Sequence, residues 1–214
     1  MTKVYPNATA ASAKTTAVNT GIVLTVWKKS LLFNSDGFTV FDKDGNLVFR
    51  VDDYYHRSSS DIVLMNASGK SLLTIRRKKW CSLSLSDNWL IYEGETSTNP
   101  ILSVKKQLLI GSCLARVTNL PAANKLGLIL EEYEIEGSYT NKCCAVYDTK
   151  RRRRLAEIRR KEAAIGGVAI GFDVFRLVIL SEDIMDSAVA MAIVIVLDLM
   201  FQSTNVLTNC FLCN

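Results

Sequence analysis

Histidine is nearly missing from this 214-residue chain, which carries one, His56, and proline is scarce, with three, at positions 6, 100 and 121. A hydrolytic triad needs an imidazole beside a nucleophile, and the single candidate lies in "DDYYHR", next to Asp52 and Asp53 and just before Ser58–Ser60. Adjacent residues of an extended segment point to opposite faces, and no GxSxG elbow exposes a serine, so His56 reads as a surface-loop residue. A glycine-rich phosphate loop is also lacking, which leaves nucleotide chemistry without a handle. Asp42 and Asp44 in "DKDGN" have the spacing that opens a calcium loop, yet the sixth position, where that loop needs glycine, is Leu47. A hairpin turn accounts for the two acids without an ion. Cys210 and Cys213 form a CxxC spacing, but no second Cys/His pair and no βαβ context accompany it, so neither zinc nor redox chemistry follows. The expectation is a protein that is not an enzyme and needs no cofactor or metal.

Two further absences bear on location. The first 20 residues, "MTKVYPNATAASAKTTAVNT", lack the basic start and apolar block of a secretory signal, and their Ala/Thr/Ser composition predicts a disordered arm. Six cysteines in a chain without such a signal point to reduced thiols in the cytosol, and the sequons at Asn7 and Asn66 then carry no meaning. A membrane-length apolar run is missing as well. The longest, "AVAMAIVIVL" at 188–197, ends at Asp198, and even Ser187–Phe201 gives 15 residues, or ~22 Å of helix, against the about 20 residues a span requires. The run therefore reads as a helix buried in protein, not as a transmembrane span. Its β-branched content (Val189, Ile193, Val194, Ile195, Val196) lowers helix propensity and leaves a strand reading open, while Glu182, Asp183, Asp186 and Ser187 supply the acidic, capping lead-in a helix favours.

What the chain has in quantity is alternation. "FTVFDKDGNLVFRV" (38–51), "IVLMNASGKSLLTIRR" (62–77) and "CAVYDTKRRRRLAEIRRK" (144–161) each read strand, turn, strand. Each enters its turn through an aliphatic residue, one residue, then Asp or Asn: Val40/Asp42, Leu64/Asn66, Val146/Asp148. Further strands are expected at 89–95, 101–107, 113–119, 128–139 and 173–180. Short strands at this spacing define a sandwich or barrel, and an all-apolar helix needs such a sheet closed around it. The chain divides into an arm (1–21), one barrel domain (22–201) with a central helix at about 184–201, and a tail (202–214).

Positive charge is the remaining feature, with a net charge of +5. Arg76, Arg77, Lys78 and Lys79 form one basic run, Lys150 with Arg151, Arg152, Arg153 and Arg154 a second, and Arg159, Arg160 and Lys161 a third. If 150–161 is a hairpin, its two basic arms lie near each other and make a strong local field. Three readings stay open: a solvated rim that discourages edge pairing, a patch for acidic phospholipid headgroups such as phosphoinositides, and a nuclear-import or nucleic-acid contact. Aromatics are not interleaved with the arginines, which counts against nucleic acid.

The ordered motifs "DGFTVFDKDGNLVFRVDDY", "VLMNASGKSLLTIRRKK", "IEGSY", "CAVYD", "AEIRRKEA", "GFDVFRLVIL" and "MAIVIVLDLMF" resemble the plant LURP-one-related family from about residue 22 to residue 201. The resemblance implies a mainly β fold: a closed antiparallel barrel of about twelve strands around a hydrophobic C-terminal helix, of the kind shared with the Tubby C-terminal domain and phospholipid scramblases. It also implies a plant source and a link to basal defence, with no established activity. The tail past Phe201 and the uninterrupted KRRRR turn depart from the family's motifs, and no Tubby phosphoinositide motif aligns here. The functional expectation is a cytoplasmic, non-enzymatic binding or adaptor protein that contacts acidic phospholipids peripherally through the basic residues named above. The alternative is a nuclear-imported, transcription-associated regulator.

Overall fold

In a computed structural model, residues 21–31, 37–52, 61–78, 87–95, 98–107, 112–121, 132–161 and 173–202 are described. Their alternating apolar residues become twelve strands: β1 (Ile22–Trp27), β2 (Phe38–Phe41), β3 (Leu47–Val51), β4 (Ile62–Asn66), β5 (Ser71–Arg77), β6 (Asn88–Glu93), β7 (Pro100–Lys106), β8 (Cys113–Asn119), β9 (Glu132–Ser138), β10 (Cys143–Asp148), β11 (Arg154–Arg160) and β12 (Val174–Ile179). Each pairs antiparallel with its chain neighbours, and β1 pairs with β12 (Ile22 opposite Ile179, Trp27 opposite Val174), so the meander closes into a barrel. Closure removes the open sheet edge, the feature that exposes a β protein to edge-to-edge pairing. Pro100 opens β7, where a strand's first residue can do without its N–H.

The three repeated hairpins share one device. In each, the ladder slips at a bulge just before the turn: at Val40/Phe41, Leu64/Met65 and Val146/Tyr147. The Asp or Asn that follows then caps the turn. Asp42 Oδ1 accepts from the backbone N–H groups of Asp44 and Asn46, Asn66 Oδ1 from Lys70, and Asp148 Oδ1 from Lys150 and Arg151. The side chain of Asn46 adds a further bond to Asp42 and is the main reason its carboxyl lies below the usual range. Asp42 is thus engaged in the turn. Gly45 and Gly69 take the left-handed position at φ +85° and +84°. The basic turn is one residue longer, closing Asp148 N–H to Arg153 C=O, and puts Arg152 at φ +52°, a conformation that costs a non-glycine residue ~1–2 kcal/mol.

Helix α1 (Ser187–Gln202) fills the barrel. It starts three residues later than expected because Asp186 is its N-cap: Asp186 Oδ1 accepts from Ala188 and Val189 N–H, while Ile184 and Met185 N–H bond back to Ser181. Val189 to Leu197 and Met200 are buried against inward side chains of the wall, among them Val26, Phe38, Leu64, Ile75, Val104, Val117, Ile135 and Phe175. Burial on every side outweighs the modest helix propensity of its β-branched residues. Among the described residues, no helix is long and apolar enough to cross a membrane. Because the strands alternate in direction, α1 enters at the rim holding the β2–β3, β4–β5 and β10–β11 turns (the entry rim). It ends at the rim holding the β1–β2, β9–β10 and β11–β12 connections (the exit rim).

Candidate functional site

The basic runs do not form one patch. Segment 150–161 is a turn followed by a single strand, β11, with Arg151–Arg153 in the turn at the entry rim and Arg159–Lys161 at the exit end; the two runs come together where Arg154 and Arg159 share the carboxylate of Glu157. Arg76–Lys78 also lie at the exit rim, but β5 and β11 are six strands apart in either direction around the ring, on opposite walls. Lys79, His56, Cys210 and Cys213 fall outside the described residues.

Carboxylates accompany most of these cations. Arg152 reaches Glu134 at 3.3 Å and Glu136 at 3.0 Å, and Glu134 also binds Arg116 at 2.8 Å. Arg153 donates to Ser181 Oγ and lies 3.9 Å from Asp183, and Arg154 holds Glu157 at 2.9 Å, with Arg159 on the other oxygen of that carboxylate. On the far wall Arg76 bonds Asp61 at 2.7 Å and stacks over Tyr92, while Arg77 pairs with Asp87. The outer wall over β8–β11 is therefore an alternating charge lattice. Exposed pairs of this kind contribute ~0–1 kcal/mol each, so they order the side chains more than they stabilise the fold. Lys150 to Arg154 are nevertheless all solvent-exposed.

A second charged cluster was not foreseen. Asp198, the residue that ends the apolar run, does not face solvent: it is 0 % exposed, on α1 near the exit rim. Tyr139 donates its hydroxyl to Asp198 Oδ1 at 2.9 Å, Lys28 Nζ lies 3.5 Å from Oδ2, and Lys142 Nζ lies 3.9 Å from Oδ1. Lys142 is 6 % exposed, has φ +51°, and sets its ammonium 3.5 Å from the Tyr139 ring centroid and 4.6 Å from that of Phe175. Burial lowers its pKa to about 8, opposed by the charge of Asp198. Lys106 Nζ donates to the Met200 carbonyl at 3.0 Å and caps the helix end. Four side chains from the β1–β2, β7–β8 and β9–β10 ends thus clasp the last turn of α1. The only sequence signal was an acid inside an otherwise apolar helix, which demands a buried partner.

Taken together, the geometry defines a class: a closed antiparallel barrel filled by its own helix, with charged rims and, among the described residues, no grouping of three or more His, Cys, Asp or Glu side chains placed to hold a metal. The chain matches the family model described as LURP-one-related over residues 22–198 and belongs to that family. It is similar to Arabidopsis thaliana protein LURP-one-related 8, 47% identical over 206 residues that cover 95% of this chain and all of that one. It is also similar to Arabidopsis thaliana LURP-one-related 12, 41% identical with 82% and 76% covered. In fold it is similar to an X-ray structure of an Arabidopsis thaliana protein, with a TM-score of 0.57, 18% identity, and 85% and 92% covered.

Proposed function

We propose that this protein is a non-enzymatic binding or adaptor protein that contacts acidic phospholipid headgroups peripherally from its barrel surface. The interior is occupied by α1, so any partner must be met on the outer wall or a rim. The observation that carries the reading is the exposure of basic side chains at both rims: Lys150–Arg154 at one, and Lys29, Lys78, Lys105, Arg159 and Arg160 at the other. Each basic residue brought near an acidic membrane surface contributes ~1 kcal/mol. Recruitment of this kind suits the link to defence that the family resemblance implies. Vesicle co-sedimentation tests it: binding is expected to rise with phosphoinositide or phosphatidylserine content and to fall at about 0.5 M salt. Equal binding to neutral vesicles, or binding indifferent to salt, would rule it out.

A second reading, nuclear import of a transcription-associated regulator, draws on the exposure of the whole run Lys150–Arg154. Imaging a fluorescent fusion against its Arg151–Arg154→Ala form separates the two. A nuclear signal that vanishes in the variant supports import, and unchanged distribution of both forms eliminates it.

A further inference from the structure

We infer that the protein docks on an anionic bilayer with one arc of its exit rim, the end of β1 and the neighbouring ends of β11 and β12, and that Trp27 and Leu31 enter the headgroup–acyl boundary. The inference rests on the lipid reading above and assigns it a face.

Trp27 at 47 %, Leu31 at 51 % and Val23 are the exposed large hydrophobic side chains among the described residues. Two of the three fall within one five-residue stretch, Trp27-Lys28-Lys29-Ser30-Leu31. Its side chains alternate: Trp27, Lys29 and Leu31 face solvent, while Lys28 turns in to Asp198 and Ser30 is buried, donating to the Asp52 carbonyl. The backbone is pinned as well. Lys28 N–H donates to the Asp173 carbonyl at 2.7 Å, and Thr39 Oγ1 donates to the Lys29 carbonyl at 2.6 Å. The Trp27 ring is propped edge-on against Phe41, with centroids 6.3 Å apart. An aromatic, a cation and an aliphatic residue are thus held outward by a stretch whose other polar groups are satisfied inside.

That composition matches a bilayer interface. An indole partitions to the headgroup level, an aliphatic tip enters the acyl region, and a lysine keeps its ammonium among anionic phosphates. The flanking strands add charge of the same sign. Arg160 pairs in register with Phe175, and Arg159 with Arg176, whose strand β12 pairs with β1; Lys161 follows Arg160. Arg159, Arg160 and Arg176 are exposed. The Arg151–Arg154 turn, at the other end of the barrel, faces away from the bilayer in this pose.

Three proteins on vesicles of phosphatidylcholine with about 30 mol% phosphatidylserine, which gives the surface a negative potential, test the pose: wild type, Trp27→Ser with Leu31→Ser, and Arg151–Arg154→Ala. Thermal melts check that each variant is folded at the assay temperature. The double variant is expected to lose about tenfold or more in partitioning, whereas the four-alanine variant should stay within about threefold. Depth is read separately in wild type and Trp27→Phe: lipids brominated on the acyl chain should quench wild-type indole emission, and Trp27→Phe should lose most of that quenching while still binding. Strong binding by the double variant together with loss of binding in the four-alanine variant would overturn this face and leave the lipid reading intact. Failure of wild type to bind anionic vesicles would overturn both.

Discussion

A carboxylate on the innermost element of the barrel is tolerated because its partners arrive from the wall. Asp198 on α1 meets the Tyr139 hydroxyl and the ammonium groups of Lys28 and Lys142. Removing one member of such a cluster costs more than the cluster contributes, because the remaining charges stay buried without compensation. Asp198→Ala is therefore expected to destabilise the fold by about 3–5 kcal/mol. Adding Lys142→Met should recover part of that loss, a coupling that a double-mutant cycle in urea measures. Simple additivity of the two changes would show that they do not interact. The same site predicts a pH dependence. Folded Lys142 releases its proton near pH 8, whereas an unfolded lysine holds it to about 10.5. Between those values the unfolded state binds more protons, so this residue makes stability rise with pH. Cys144 acts in the opposite sense: burial pushes its thiol from 9.0 up to about 12, so its contribution is present below pH 9 and lost as pH climbs toward 12. Between pH 8 and 9 the Cys144 contribution is common to wild type and Lys142→Met, so their difference reports Lys142. Wild type is expected to gain about 1 kcal/mol relative to the variant across that window, read by thermal melts; identical slopes would refute the assignment.

At the scale of elements, α1 and the hairpins behave differently toward substitution. Ile195 is 0 % exposed, one turn before Asp198, among apolar neighbours. Ile195→Asp is expected to abolish cooperative unfolding, because it places a new charge in that apolar packing. A soluble variant with a sharp melting transition would contradict the buried placement of α1. The elements themselves were legible in the sequence because their information is local. Period-two alternation marked β2–β5 and β10–β11, an uninterrupted apolar run marked α1, and the Asp or Asn before each turn marked where strands end. What stayed hidden is set by pairing between distant residues. Tyr139 lies 59 positions from Asp198, and nothing near Asp198 in the chain names it as a partner. The disposition of the basic runs stayed hidden for the same reason: that Arg154 and Arg159 share the Glu157 carboxylate, and that β5 stands across from β11, follows from the folded strand and the ring order. The outward face Trp27, Lys29, Leu31 was overlooked because the spacing reads like an ordinary strand end; the inward turn of Lys28 to Asp198 and the burial of Ser30 are what single it out.

For the whole molecule, wall and filling are interdependent. The inward faces of twelve strands are apolar, and α1 is the element packed inside them. A chain ending at Asp186 should therefore fail to melt cooperatively and should bind a hydrophobic-surface dye, whereas the full chain should do neither. A cooperative transition in the shortened chain would mean that the strands can collapse onto one another without the helix.

The order of the elements along the chain carries a cost in the cell. The helix that occupies the middle follows all twelve strands in sequence, so a ribosome delivers the strands first and what they pack against last. Throughout that interval the nascent chain holds apolar strands with their intended partner still unmade, and β1 cannot be joined to β12 until nearly everything between them has emerged. Such a chain is a natural client for chaperones that shield exposed strands, and its folding is expected to complete only after synthesis has passed residue 202.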